Sequence, residues 1–390
     1  METREKKPQG PGQILSHVME SLPLSGRVLV AMSGGVDSSV AAWLLAQRGL
    51  DVSGATLRLF PPEREERIPQ GALQGLASIQ RAREACEELG IPHIILDASD
   101  RFWQEVVGPF LDDYASGRTP NPCIRCNRLV KWETLLEEAR RRDCAYLATG
   151  HYARLLSSEG RQQILRGLDQ RKDQSYALHG LSQSVLNRTL LPLGSLKKSE
   201  VRRIAADAGL PTSETAESQD LCFIPRGGHE RFITEHVRMN PGSIEDVNGR
   251  ILGMHRGLGL YTVGQRKGLG IPHGTPLYVL RKDAGGNRLI VGAKEDLGQR
   301  SFLAGNVNWV SMTSPSQGSS FPAEVEVRYR SRPIPGEIFV LGPECVEVRL
   351  AAHTQAIAPG QSVVWYLGDL LLGGGIIMHP DVLPETEDYV

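Results

Sequence analysis

The chain has 390 residues, 40% of them apolar and 23% charged, which suits two or three globular domains, each with its own core. Lysine plus arginine (44) balances aspartate plus glutamate (45), so no global basic excess announces a nucleic acid, and any such surface must come from local clusters. No run has the length of a signal-peptide core or a membrane span, and six cysteines without an export signal predict reduced thiols in a cytoplasmic protein with no membrane partner.

Residues 1–25 read as a charged, Pro- and Gly-rich tail with a short amphipathic stretch. A strand is predicted over 27–32, followed by Ser33-Gly-Gly-Val-Asp-Ser-Ser39, with a helix over 36–48 closed by Gly49. Such a strand–loop–helix unit is suited to phosphate. Gly34 and Gly35 let the backbone approach an anion, and the free N–H groups of the following helix point at it. Ser33, Ser38 and Ser39 add hydroxyls, and Asp37 is placed to help hold Mg²⁺ among phosphate oxygens. No lysine follows at the spacing of the Gly-x4-Gly-Lys-Ser/Thr loop, and a capped Gly-Gly turn is the bland alternative.

A second strand is predicted over 51–60, a polar insert over 61–71, a helix over 74–89 and a third strand over 93–98. Asp100 then caps a helix through Phe102, Val106 and Phe110; a Pro-rich loop covers 117–126; a helix covers 127–142, a strand 145–153, and a helix 198–208. This alternation predicts an α/β class with a parallel-sheet domain over 26–225 and ligands at the carboxyl ends of the strands, where Ser33, Leu57 and Gly150–His151 fall. From about residue 240, Gly, Pro and Asn punctuate short β-rich runs, which predicts a small mixed central domain over 226–300. Alternating runs over 301–390 predict a C-terminal antiparallel β-barrel. Within it, period two over 324–332 sets Arg328, Arg330 and Arg332 on one face and Val325, Val327 and Tyr329 on the other. That face suits either RNA or plain solvent.

Cys123 and Cys126 form a Cys-x2-Cys, and Cys222 stands in Leu-Cys-Phe-Ile. A zinc half-site lacks a second pair, and a thioredoxin-like redox pair lacks the first strand it normally follows. Cys86, Cys144 and Cys345 sit on apolar faces and read as packing. The polar, Pro-rich settings of Cys126 and Cys222 predict exposed thiols, with Arg125, Arg128 or Arg226 near enough to favour thiolate.

The 33–39 block resembles the PP-loop of the ATP pyrophosphatases, which split ATP between its α and β phosphates and adenylate an acceptor oxygen. Further blocks follow in order: Gly117-Arg-Thr-Pro-Asn-Pro122 with Cys126-Asn127, Ala148-Thr-Gly-His-Tyr152, Lys172-Asp-Gln-Ser-Tyr176, Leu221-Cys-Phe-Ile224, Tyr261-Thr-Val-Gly-Gln-Arg-Lys-Gly268, Arg328-Tyr-Arg330 and Gly360-Gln361. Together they resemble the tRNA-specific 2-thiouridylase family. The resemblance implies a PP-loop parallel-sheet domain and ATP-dependent replacement of the C2 oxygen of the wobble uridine by sulfur from a cysteine persulfide. It implies ATP contacts at Ala31, Met32, Ser33, Gly34, Gly35, Val36, Asp37, Ser38, Leu57 and Gly150, a nucleophile at Cys126, and a persulfide carrier at Cys222 that forms a transient disulfide with Cys126. For tRNA it implies Asn121, Pro122 and Cys123 beside the target base, and His151, Lys172, Asp173, Gln174, Tyr329, Arg330 and Gln361 elsewhere. The implied partners are the anticodon stem-loop of tRNA and a persulfide donor, either a cysteine desulfurase or a sulfur relay protein.

Two positions depart from the family. Leu57 stands where Met is common, and Cys123 where many members carry Asp. The second departure creates the Cys-x2-Cys and leaves three thiols, Cys123, Cys126 and Cys222, that allow an iron–sulfur cluster as an alternative sulfur source, not favoured here. A PP-loop enzyme acting on a small-molecule acceptor is the other alternative; it needs neither a persulfide cysteine nor a barrel. A non-catalytic iron–sulfur or redox module would leave the phosphate loop without purpose.

Overall fold

The structure, a computed structural model, describes residues 18–61, 75–213, 221–224, 227–354 and 357–379. The predicted tail (up to residue 17), most of the polar insert and Arg226 lie outside the described residues.

Arg27–Ala31 (β1), Asp51–Arg58 (β2), His93–Asp97 (β3), Tyr146–Ala148 (β4) and, beyond the Ala153–Ser158 (β5) and Arg161–Arg166 (β6) hairpin, Thr189–Leu190 (β7) account for the first sheets. β3-β2-β1-β4-β7 form one five-stranded sheet, parallel throughout. Val28, Leu29 and Val30 of β1 are wholly buried, as expected of a central parallel strand covered on both faces. The Val36–Gln47 helix is apolar nearly all round and correspondingly buried at Val40, Ala41, Ala42, Leu44 and Leu45.

Gly242–Glu245 (β8), Ile251–His255 (β9), Tyr278–Asp283 (β10) and Arg288–Gly292 (β11) make a separate four-stranded sheet in the order β10-β11-β8-β9. Gln299–Trp309 (β12), Ser320–Glu326 (β13), Ile334–Gly342 (β14), Cys345–Thr354 (β15), Ser362–Leu367 (β16) and Leu370–Ile377 (β17) are antiparallel neighbours. Pairing of β12 with β17 closes them into a six-stranded barrel.

Four local expectations are corrected. Asp100 does not cap its helix: the helix begins at Ser99, and Asp97 Oδ1 accepts from the Ser99 N–H at 3.0 Å. The strand predicted over 145–153 divides, because Thr149–Tyr152 leave the parallel sheet and Ala153 opens β5, whose partner β6 pairs with β17 of the barrel. The loop predicted over 117–126 ends earlier, at Asn121. Its side chain accepts from the Cys123 N–H at 3.2 Å and Pro122 takes the first helical position, so both cysteines of the Cys-x2-Cys are helical. The strand predicted over 324–332 stops at Glu326; Arg328–Ser331 form a turn in which Arg330 has φ of +59°, so the three arginines do not share a strand face.

Candidate active site

The phosphate loop leaves β1 at the carboxyl edge of the sheet. Ser38 Oγ donates to Gly35 O at 3.0 Å and accepts from the Ser33 N–H at 3.2 Å, closing the loop on itself. Gly34 has φ of +71°, and a Cβ there would lie 2.1 Å from Ser78 O; only glycine fits. Gly150, after β4, abuts the start of the Val36–Gln47 helix, where an added Cβ would lie 2.9 Å from Asp37 C and Ser38 N. β1 and β2 pair with a constant offset (Ala31 with Ala55), which continued upward sets Leu57 level with Ser33. The expectation that Ser33, Leu57 and Gly150 gather at strand ends therefore holds.

Asp37 is engaged. Lys198 Nζ donates to both its oxygens, at 2.6 and 2.7 Å, and the Tyr152 hydroxyl donates to Oδ1 at 2.7 Å. A carboxylate neutralised in this way does not fit the expected Mg²⁺ ligand, and among the described residues no three His, Cys, Asp or Glu side chains converge to hold a metal ion. The same test fails for an iron–sulfur cluster on Cys123, Cys126 and Cys222. Lys198 carried no motif in the sequence; its place at the start of the Lys198–Asp207 helix, packed on the Val36–Gln47 helix, exists only in the fold.

The thiols form a second cluster. Cys126 is buried in the main core beside Ile124 and Val130, Cys222 packs on that core half-buried, and Cys123 lies at the exposed rim. The prediction of exposed thiols fails at Cys126 because its helix begins at Pro122 and turns that side chain inward. All six cysteines are free thiols, so no Cys126–Cys222 disulfide is present. Burial pushes the Cys126 thiol up to about 11 and raises Cys222, and desolvation by the protein packed around the rim raises Cys123 as well. The cation opposing all three shifts is Lys131, which the sequence reading did not single out. Arg125 is turned away: its Nε donates to Glu105 O at 2.5 Å.

His151 joins the two clusters. Its Nδ1 is 2.8 Å from Thr149 Oγ1, and its ring lies 5.3 Å from that of Trp132, whose indole N–H donates to Thr189 Oγ1 at 2.9 Å. Burial, with Lys131 nearby, lowers His151 to about 3, so the imidazole is neutral and a weak base, which suits positioning or stacking rather than proton abstraction.

The remaining sequence-predicted residues lie between the nucleotide domain and the barrel. Asp173 accepts from the Gly167 and Ser175 N–H groups at 2.9 and 3.1 Å and pairs with Arg166 at 3.3 Å. Gln174 Oε1 accepts from the Tyr152 N–H at 3.0 Å. Tyr329 donates to Asp173 O at 3.3 Å, and the Arg330 guanidinium lies 5.0 Å from the Tyr329 ring centroid. Lys172 sits in the same turn, its N–H on Asp169 O at 2.9 Å. From the barrel, Gln361 Nε2 donates to Thr119 O at 2.7 Å and Pro120 O at 3.2 Å, bracing the chain just before Asn121.

A glycine-bearing phosphate loop at the carboxyl edge of a parallel sheet, with Gly150 of a neighbouring strand end packed against it, defines a nucleotide-binding PP-loop enzyme. The sequence models of three families match in order: tRNA methyl transferase HUP domain over 26–226, tRNA methyl transferase PRC-barrel domain over 230–293, and aminomethyltransferase beta-barrel domain over 299–377. The chain is 45% identical over 362 residues to the tRNA-specific 2-thiouridylase MnmA of Synechococcus sp. (strain JA-2-3B'a(2-13)), covering 92% of this chain and 96% of that one. It is 44% identical over 364 residues to the enzyme of the same name from Heliobacterium modesticaldum, covering 90% and 92%. Among solved structures, the U34-tRNA thiolase NcsA from Methanococcus maripaludis aligns over 59% of this chain and 80% of its own at 20% identity, with a TM-score of 0.36. The chain belongs to the tRNA-specific 2-thiouridylase family.

Proposed function

We propose that this chain is a tRNA-uridine 2-sulfurtransferase, which uses ATP to adenylate the C2 oxygen of the wobble uridine of tRNA and exchanges that oxygen for sulfur. One observation carries the reading: at the end of β4, Gly150 touches the phosphate loop while His151, beside it, reaches the thiol cluster through Trp132 and Lys131. An activated carbonyl and a sulfur nucleophile thus share one site.

A uracil C2 oxygen does not leave by itself. In this reading it attacks the α-phosphorus of ATP held by Ala31 through Ser38, with Leu57 and Gly150 alongside, and pyrophosphate departs. Cys222 arrives as a perthiol. The Cys126 thiolate attacks its inner sulfur, forming a Cys126–Cys222 disulfide and releasing hydrosulfide. Hydrosulfide adds to C2, and the oxygen leaves with AMP. An external dithiol then reduces the disulfide. The persulfide comes from a donor protein, a cysteine desulfurase or a relay protein.

The target base must leave its stack to reach this site, with Asn121, Pro122 and Cys123 beside it. His151, Lys172, Asp173 and Gln174 of the nucleotide domain and Tyr329, Arg330 and Gln361 of the barrel form the proposed tRNA side, with the domain over 226–300 also proposed to contact tRNA. Because Asp173, Gln174 and Gln361 spend hydrogen bonds on the protein itself, their part is to shape that surface. No helix among the described residues is long and apolar enough to cross a membrane.

The test is to incubate the protein with ATP, unmodified tRNA and a persulfide donor. AMP, pyrophosphate and 2-thiouridine at the wobble position should appear together, by nucleotide chromatography and mass spectrometry. ADP as the main product, or AMP release indifferent to tRNA, would overturn the reading.

A further inference from the structure

The helix carrying the thiols is not regular. Pro122–Cys126 is α-helical, Asn127–Lys131 is a π-turn, and Trp132–Arg141 returns to α. The Trp132 N–H bonds Asn127 O, five residues back. In a regular α-helix, residues five apart point about 140° away from each other. A turn closed five residues apart instead brings Lys131 round to the side of Cys126.

Lys131 is held there. Its Nζ donates to Asn127 Oδ1 at 3.1 Å, and Asn127 Nδ2 donates to Ala177 O at 3.0 Å, so the amide is fixed at both ends. Among the described residues no carboxylate stands within ion-pair distance of this half-buried ammonium. The titratable groups facing it are the thiols of Cys123, Cys126 and Cys222 and the neutral imidazole of His151. A desolvated cation without a carboxylate is expensive unless an anion joins it.

We propose that Lys131 is the positioning residue of sulfur transfer: its ammonium is the shared counter-charge for Cys126 thiolate, Cys222 perthiolate and the released hydrosulfide. This rests on the sulfur-transfer reading above. One fixed cation serving successive anions lets negative charge pass from thiol to thiol to substrate without a water shell. It also gives a buried Cys126 its counter-charge: burial raises the thiol, and Lys131 is the group that offsets part of that rise. The amide of Asn127 orients the ammonium without neutralising it, which a carboxylate at that position would do.

The test is site-resolved alkylation of the reduced full-length protein by iodoacetamide across pH 6.5 to 10, read by peptide mass spectrometry. Only thiolate reacts, so each unit of upward pKa shift slows alkylation about tenfold below the pKa. Lys131→Met should slow Cys126 and Cys222 about tenfold or more and move their profiles to higher pH, leaving Cys345 and ATP binding unchanged. Lys131→Arg should restore most of the rate. Should Lys131→Met not fold, Lys131→Gln, which keeps an N–H donor but no charge, carries the same expectation. Wild-type profiles for Cys126 and Cys222 in a variant that binds ATP would overturn the proposal. The assay needs neither tRNA nor turnover. A shifted profile in a protein that makes no 2-thiouridine refutes the function alone, and 2-thiouridine formation with an unshifted profile refutes the role of Lys131 alone.

Discussion

Gly150→Ala tests the contact on which the proposed site depends. The added Cβ would lie 2.9 Å from Asp37 C and Ser38 N and 3.1 Å from Asp37 Cβ. Two of the three neighbours are backbone, so no rotamer change relieves the clash; the strand end and the helix start must separate by several tenths of an ångström. Overpacking of this kind costs about 1–3 kcal/mol. If the strain stays in the folded protein, Tm should fall by roughly 2–12 °C for a domain of this size. If the loop yields, the Ser38 N–H moves out of the anion cradle, and ATP binding should weaken by about five- to 150-fold, the same energy read as affinity. Differential scanning calorimetry and isothermal titration with ATP, run on one preparation, measure both shares. Gly274→Ala is the control, since nothing lies within 4 Å of a Cβ there, and it should stay within about 0.5 kcal/mol of wild type. Wild-type Tm together with wild-type ATP affinity in Gly150→Ala would refute the close approach.

The thiols should separate by role: Cys126→Ser and Cys222→Ser abolish 2-thiouridine formation, while Cys222→Ser still yields adenylated base and Cys123→Asp is mild, all scored by mass spectrometry of the product tRNA. Loss of activity in Cys123→Asp would restore the three-thiol cluster to consideration. Arg330→Gly relieves a left-handed backbone position, so stability should hold or rise by up to about 1 kcal/mol, while filter binding shows weaker tRNA affinity with a salt slope flatter by about one unit. Unchanged affinity at every salt concentration would make that turn ordinary surface. Lys282 is buried with its ammonium on Tyr261 O at 2.7 Å, and desolvation lowers its pKa to about 8. Between that value and an unfolded lysine's value near 10.4, the unfolded chain holds a proton that the folded one lacks, so stability climbs with pH across that window. Lys282→Met should remove about 3 kcal/mol of that climb in urea titrations at pH 7.5 and 10.5, and an equal climb in both proteins would argue against the shift.

The primary sequence was enough for the order of domains, the parallel sheet and the phosphate loop, because those depend on local signals: apolar runs, glycine at a left-handed position, and turn residues between elements. Asn121-Pro122 was also a readable helix start, and taking it as loop misplaced Cys126 on the surface. Other features had no local signal. β5 and β6 belong to the barrel sheet because β6 pairs with Leu370 and Leu371 of β17, the end that β12 leaves uncovered, some two hundred residues away. The strand at 324–332 stops at Glu326, whose carboxylate pairs with Arg166 at 2.7 Å across the domain boundary, and alternation alone does not reveal such a partner. Lys198 meets Asp37 from 161 residues away. Lys131 meets three thiols through a π-turn that periodicity arguments, which assume 3.6 residues per turn, pass over. Sequence pattern reports what each segment prefers by itself; Cys222 beside Cys126 and Lys198 on Asp37 are neighbours only once the chain closes on its core.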